Sequence, residues 1–156
     1  MSTLTLGVDP GLSGAIAALD DAGSVVGVAD LPVIRDRSVA WIDGAALQTW
    51  LLDTLAGRMA RAVVERVSAM PRQGVSSSLQ FGAAFGSLLS VLQANQVAIE
   101  LVTPAQWKRA LGLSSDKKAS LHKARLLFPT ADLRLAKHDG RAEALLLAYW
   151  SQRRTP

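Results

Sequence analysis

The sequence has no cysteine among its 156 residues, which excludes disulfide bonds and thiolate metal sites and favours a reducing, cytoplasmic location. Its N-terminus has no basic segment followed by a long apolar run, so no signal peptide is predicted. No stretch approaches the roughly 18 uncharged apolar residues of a membrane span. With 49% apolar residues and no repeat or low-complexity linker, residues 1–156 are expected to fold as a single domain without a membrane partner.

Positive charge is scarce in the first two thirds of the chain and concentrated in the last third. Residues 1–103 carry six Lys and Arg against nine Asp and Glu, whereas residues 104–156 carry eleven against four. A basic segment on a neutral body is typical of proteins that bind a polyanion such as nucleic acid. The alternative is a solvated face on a basic protein.

Hydrophobic periodicity and turn signals predict an α/β fold. Three short apolar segments with tight connections predict an antiparallel meander, and helices then alternate with two further strands. The predicted strands are 4–8, 15–19, 25–28, 62–65 and 97–102. The predicted helices are 43–55, 79–95, one that begins at Pro104 with Thr103 as its cap, one from Asp116 to before Pro129, and 138–151. Residues 32–42 and 68–78 are predicted loops. The expected architecture is a mixed five-stranded sheet with helices on its faces.

Acidic residues stand at the ends of apolar elements in three separate segments. Asp9 ends the first strand and is held extended by the proline that follows it. Glu65 ends the fourth strand, and Asp139 and Glu143 lie four residues apart on one face of the last helix. Carboxylates without His or Cys partners favour hard divalent cations such as Mg²⁺ or Mn²⁺. Two such ions can assist hydrolysis of a phosphodiester.

Each acid also has a structural alternative. Asp9 is compatible with an ordinary turn, and Asp139 with a favourable interaction with the helix dipole. Glu65 has Arg61 or Arg66 as a possible partner along the chain, and Glu143 has Arg141 or Lys137. The joint occurrence of the four acids favours the metal site.

Five short segments follow one another from residue 4 to about residue 149. They read GVDPGLSG at 7–14, VE at 64–65 before a polar loop and a Gly/Ala-rich helix, VTPAQWK at 102–108, DKKA at 116–119 and HDGRAEA at 138–144. In this order they resemble the motifs of RuvC-type Holliday junction resolvases, members of the RNase H-like superfamily.

The resemblance implies a homodimeric, Mg²⁺-dependent endodeoxyribonuclease that cuts four-way DNA junctions in recombination and repair. Asp9, Glu65, Asp139 and Glu143 would be catalytic and would bind two metal ions, with Mn²⁺ as an alternative to Mg²⁺. Products would carry 5′-phosphate and 3′-hydroxyl ends. Lys117 and Lys118 are also predicted to be catalytic. One of the two would stabilise charge in the transition state.

Two departures from the family pattern qualify the resemblance. The final motif has Asp and Glu four residues apart, Asp139 and Glu143, which looks like a phage-type branch in a bacterial or phage-infected cell. The base-stacking aromatic residue of familiar members is replaced by Ser68, Ala69 and Met70, and Met70 is a candidate apolar wedge.

A broader set of residues is predicted to contact DNA, which would make binding depend steeply on salt. For the lysines, the alternative is a solvent-facing charge on a helix. The set is Met70, Arg72, Gln73, Lys108, Arg109, Lys117, Lys118, Lys123 and Arg125.

Other interpretations of the same residues stay open. Trp107 is expected in the core or an interface, and His138 as a cap or a helper at the metal site. Helix 79–92 and the apolar last helix are candidates for the dimer contact, with core packing as the alternative. The alternative functions are a related nuclease acting on flaps or RNA–DNA hybrid, and a non-catalytic junction-binding protein. An actin-like or sugar-kinase ATPase would need two such domains.

Overall fold

The computed structural model of the protein describes residues 3–66, 68 and 74–154. Its strands are β1 Leu4–Asp9, β2 Ala15–Leu19, β3 Val25–Asp30, β4 Val33–Asp36, β5 Val39–Ile42, β6 Ala60–Glu65 and β7 Ala98–Val102. Its helices are α1 Gly44–Leu55, α2 Val75–Ala94, α3 Pro104–Ala110, α4 Lys117–Leu127 and α5 Asp139–Arg154, the last preceded by a 3₁₀ turn at Ala136–His138.

The main sheet has the strand order β3-β2-β1-β6-β7. Strands β1, β2 and β3 pair antiparallel, whereas β1 with β6 and β6 with β7 pair parallel. Strand β1 is central, and Leu4, Leu6 and Val8 are fully buried, as expected for a strand covered on both faces. The predicted five-stranded mixed sheet flanked by helices is confirmed.

Parallel pairing places the ends of β1 and β6 at one edge of the sheet. Val8 pairs with Val64, so the next residues, Asp9 and Glu65, leave their strands side by side. The register is set by the apolar runs, because a one-residue slip would turn the buried side chains to the other face.

The two faces of the sheet are covered by different helices. One apolar cluster combines the sheet with α1 and α2, and the other combines it with α3, α4 and α5. Helix α5 crosses directly over β1 at Gly7, where an added Cβ would overlap the carbonyl oxygen of Ala144 and lie 2.6 Å from the nitrogen of Ala148. Only glycine therefore allows this close approach.

The prediction of a loop at residues 32–42 was wrong. Strands β4 and β5 form a separate hairpin, in which Val33 pairs with Ile42 and Asp36 with Val39. Ala40 and Ile42 are buried while their neighbours are exposed, which is the alternation of a half-buried strand. The polar run at the tip, including Arg37 at φ 54°, interrupts the hydrophobic pattern and hid the strands.

Helix α2 begins four residues earlier than predicted, so Val75–Ser78 are helical rather than loop. At 20 residues and without charge, it is long and apolar enough by composition to cross a membrane, which corrects the statement that no stretch approaches such a segment. Leu88 and Leu92 are nevertheless fully buried in the core beneath it. The absence of a membrane partner stays a prediction.

Candidate active site

The four predicted acids come together at the edge of the sheet where β1 and β6 end. Asp9 and Glu65 line a cleft of about 400 Å³, together with Phe81 and Pro104. The first turn of α5 closes the site. At Gly140 an added Cβ would lie 3.3 Å from Asp9 Oδ2 and 3.0 Å from a backbone oxygen of the turn after β1. A larger residue at this position would require the turn after β1 or the Asp9 carboxylate to shift by a few tenths of an ångström.

The Asp9 carboxyl is the electrostatic centre of the cluster. Its pKa is raised to about 8, first by burial and then by the negative charges of Glu143 and Glu65, with a smaller contribution from Asp139. The positive charge of Lys117 partly offsets these effects. A metal-free site at neutral pH therefore holds a proton on Asp9.

The Glu65 carboxylate is held by a residue on α3. The indole Nε1 of Trp107 donates a hydrogen bond to Glu65 Oε2 at 2.9 Å, and the Trp107 side chain is fully buried. Burial raises the pKa of Glu65, and the indole hydrogen bond partly offsets this effect. Trp107 therefore belongs to the core, as predicted, and also orients a site residue, which the sequence did not reveal.

Glu143 forms a buried ion pair. The ammonium of Lys108 donates to Glu143 Oε1 at 2.7 Å, with the two side chains only 16% and 5% exposed. The hydroxyl of Ser120 lies 3.4 Å from the same oxygen. The partner suggested by chain spacing, Arg141, instead bonds to Asp30 on β3.

Asp139 forms a second ion pair, with Lys117, at 2.7 Å. This pair is open to solvent, since the Lys117 side chain is 66% exposed. The hydrogen bond to Asp139 raises the pKa of Lys117. The neighbouring Lys118 is exposed, and its backbone N–H donates to the capping side chain of Asp116. Of the two lysines, Lys117 is the one in contact with the acids.

The other predicted DNA-contacting residues are spread more widely. Arg109 is exposed on α3 and lines a cleft of about 560 Å³ beside the acids. Lys123 donates to the backbone carbonyl of Leu111. Arg125 donates to the backbone carbonyls of Leu133 and Arg134. Three residues of the predicted set lie outside the described residues: Met70, Arg72 and Gln73.

His138 is buried beneath the turn before α5. Its Nδ1 accepts a hydrogen bond from the backbone N–H of Leu135 at 3.5 Å and lies 3.9 Å from Asp132. These contacts support the capping interpretation of this histidine.

The donor chemistry of the cluster fits a hard divalent cation, since its four side-chain donors are carboxylates. In the part of the chain that the structure describes, no group of three or more acidic, His or Cys side chains is arranged to hold a metal ion. The ammonium groups of Lys108 and Lys117 stand against two of the acids. A metal ion at this site would therefore share Glu143 and Asp139 with two ammonium groups.

Comparison with solved structures identifies the fold. The chain is similar to a structure described as T. thermophilus RuvC in complex with Holliday junction substrate, with a TM-score of 0.59 and 18% identity over 97% of this chain and 96% of that one. It is also similar to a Thermus thermophilus RuvC structure, with a TM-score of 0.58 and 16% identity over 96% and 95% of the two chains. No protein-family model and no curated protein sequence matches. The chain thus has the RNase H-like fold of RuvC, as predicted.

Proposed function

We propose that this protein is a metal-dependent endonuclease that cuts four-way DNA junctions. The observation that carries the proposal is the meeting of four carboxylates from β1, β6 and α5 at one sheet edge, with the pKa of Asp9 raised to about 8. Four carboxyl groups this close together are costly to bury, and in the metal-free protein a proton on Asp9 and the ammonium groups of Lys108 and Lys117 offset that cost. A bound divalent cation would take over this compensation.

Asp9, Glu65, Asp139 and Glu143 would hold two Mg²⁺ ions, with Mn²⁺ as the alternative. Such ions supply a hydroxide nucleophile at neutral pH and stabilise charge on the departing oxygen of a phosphodiester. Trp107 holds Glu65 in place from α3, and Gly140 lets α5 lie against Asp9. Lys117 would stabilise negative charge on the reacting phosphate, since its ammonium lies at the cluster and is open to solvent.

DNA would approach along α3 and the start of α4. Pro104 lines both the acid-bearing cleft and the larger cleft beside α3, so the two openings adjoin. Arg109 lines the larger cleft, and Lys118 is exposed at the start of α4. A phosphate backbone passing these cations would place a scissile phosphate within reach of the acids. The junction itself is inferred from the fold shared with a protein solved on a Holliday junction substrate.

A homodimer would form through α2. Its outward side carries Val75 and Leu79, which are 88% and 73% exposed. Gly82 and Gly86 follow on the same side, and an added Cβ at either would meet nothing within 4 Å. An apolar stripe with small residues lets two copies of one helix pack closely across a two-fold axis. Two active sites would then face the symmetric strands of a junction.

The test is a substrate panel in Mg²⁺: a synthetic four-way junction, a linear duplex of the same sequence, a flap and an RNA–DNA hybrid. We expect cleavage of the junction alone, lost in Asp9→Asn and kept in the matched control Asp53→Asn, which alters an exposed acid on α1. Equal cleavage of junction and duplex would remove junction selectivity. Preferred cleavage of the flap or hybrid would reassign the substrate to another nuclease of this fold.

A second candidate, a non-catalytic junction-binding protein, is favoured by one observation. Lys108 and Lys117 already pair with Glu143 and Asp139, as they would in a site that never takes metal. The two candidates differ in metal binding. Calorimetric titration with Mg²⁺ in the absence of DNA should show heat for the wild type and none for Asp9→Asn if the protein is a nuclease.

A further inference from the structure

The Lys108–Glu143 ion pair involves one of the four proposed metal ligands, Glu143. Lys108 Nζ lies 2.7 Å from Glu143 Oε1, and both side chains are largely buried. A carboxylate oxygen that accepts a charge-assisted hydrogen bond at this distance cannot also face a cation closely on the same side, because two positive charges would then repel each other. A divalent cation on Oε1 would therefore displace the ammonium, and one on the other carboxylate oxygen would still lie close enough to repel it.

The Lys108 ammonium has a second possible position, in the cleft beside α3. The ammonium already lies over the Trp107 ring, with Nζ 5.1 Å from the ring centroid. The same residue lines the open cleft of about 560 Å³ together with Arg109, Ser114 and Ser115. A lysine side chain is long and flexible, so a rotation within its own stem would carry the ammonium from the acids into this cleft.

The two lysines at the site differ in this respect. The Lys117 side chain, which pairs with Asp139, is 66% exposed, against 16% for the Lys108 side chain. Exposed pairs contribute little to stability, whereas breaking a buried pair by removing one partner is strongly unfavourable. Glu143 therefore depends on Lys108 for its compensating charge until another cation replaces it.

We propose that Lys108 is a displaceable counter-cation: it compensates Glu143 in the metal-free protein and is released into the α3 cleft when a divalent cation takes Glu143. The inference rests on the proposed metal-dependent function. In the cleft the released ammonium would meet a DNA phosphate beside Arg109. Binding of the metal ion would then be coupled to binding of the DNA phosphates.

The experiment measures the accessibility of each lysine with an amine-reactive reagent and peptide mass spectrometry, on the full chain without DNA. Mg²⁺ is titrated at fixed pH, and calorimetry gives the metal-binding midpoint. Labelling of Lys108 should rise roughly ten- to hundredfold as Mg²⁺ is added, because a charge-assisted hydrogen bond can give protection of that size. The midpoint of this rise should equal the calorimetric midpoint of metal binding. Lys123, whose ammonium binds the Leu111 carbonyl, is the internal control and should not change.

Two variants separate release from general loosening. In Glu143→Gln, Lys108 should label rapidly without metal and no longer respond to Mg²⁺. In Lys108→Met, the metal-free protein should melt at a lower temperature, and Mg²⁺ should bind more tightly, on the order of tenfold, because a positive charge beside the site is gone. Lys117→Met, at the exposed pair, should lower the metal-free melting temperature less.

The outcomes distinguish this inference from the proposed function. If Mg²⁺ binds and Lys108 labelling stays constant, the counter-cation role is wrong while the metal-dependent nuclease stands. If Lys108→Met binds Mg²⁺ no more tightly than wild type, the role is also wrong. If calorimetry detects no Mg²⁺ binding, or detects binding that is unchanged in Asp9→Asn, both proposals are wrong.

Discussion

Two long helices, α2 and α5, lie on opposite faces of the same sheet and are buried to very different extents. Ten of the 16 residues of α5 are buried, against three of the 20 residues of α2. Helix α5 crosses the centre of the sheet at Gly7 and is enclosed by α3, α4 and the sheet. Helix α2 packs by Ala84, Leu88 and Leu92, and its outer side is exposed in the part of the chain that the structure describes. The helix with charged residues at both ends, α5, therefore forms the core and carries the site residues, whereas the uncharged helix α2 leaves an exposed apolar side.

The largest effect is expected from a carboxylate at the start of α5. Glu143→Gln should lower junction cleavage on the order of 10²- to 10³-fold, as expected for loss of one preorganised electrostatic contact to a transition state. The proposed dimer should persist in sedimentation velocity, because α5, which carries Glu143, and α2 cover opposite faces of the sheet. Near-normal single-turnover cleavage would show that the acids of this face are not the reaction centre.

The complementary change on α2 should separate association from chemistry. Gly86→Arg introduces a large cation where an added Cβ meets open space, so the monomer should keep its fold. The proposed dimer should dissociate at least tenfold more readily, since like charges would face each other across its two-fold axis. Sedimentation at several concentrations measures this. Leu52→Arg, at an exposed leucine of α1, is the matched control, and equal loss of dimer in both variants would count against α2.

Stability should follow the same division between the helices. Leu146 on α5 is fully buried, whereas Leu79 on α2 is 73% exposed. Leu146→Ala should lower the free energy of unfolding by about 2–5 kcal/mol, and Leu79→Ala should change it by at most about 0.5 kcal/mol. Urea denaturation at a concentration where the protein is monomeric would check both. Similar losses would mean that α2 is as integral to the core as α5.

The acid-bearing edge should also respond to pH, because the pKa of Asp9 rises from 3.8 to about 8 on folding. The folded state then binds the proton more tightly than the unfolded state. The Asp9 contribution to stability is therefore complete below about pH 4 and is lost as pH rises toward 8. The metal-free wild type should lose melting temperature over this window relative to Asp9→Asn.

Metal binding should show the opposite pH trend at the same residue. A cation that binds Asp9 must displace its proton, so the Mg²⁺ affinity should rise by up to about tenfold per pH unit below pH 8 and level off above it. Calorimetry at pH 6, 7, 8 and 9 measures this slope. A flat profile across that range would mean that Asp9 is already ionised or does not bind the metal.

The sequence predicted the position of the acids better than it predicted the residues and surfaces around them. Asp9 and Glu65 were placed correctly because the ends of parallel neighbouring strands share a sheet edge, and strand ends are visible in apolar runs. The partners of the acids were not foreseen, since Trp107 and Lys108 lie 42 and 35 residues away from Glu65 and Glu143. Spacing along a chain carries no information about such contacts.

The sequence also did not predict the difference in burial between α2 and α5. Both sequences are rich in Leu and Ala, and exposure depends on which neighbours cover a helix rather than on its own residues. The hairpin of β4 and β5 was missed for a related reason. Its burial comes from packing against α2, where Gln80 donates to the backbone carbonyl of Ser38, and its charged tip concealed the alternation.

The smallest effect is expected at the far end of α5, where Arg154 pairs with Glu100 on β7. These side chains are 38% and 47% exposed, and surface pairs contribute roughly 0–1 kcal/mol. Glu100→Gln should therefore leave both cleavage and the unfolding free energy almost unchanged, and added salt should reduce the remaining difference. A double-mutant cycle with Arg154→Met measures the pair directly. If the coupling energy of this exposed pair were as large as that of the buried pair Lys108–Glu143, burial would not explain the difference between the two ends of α5.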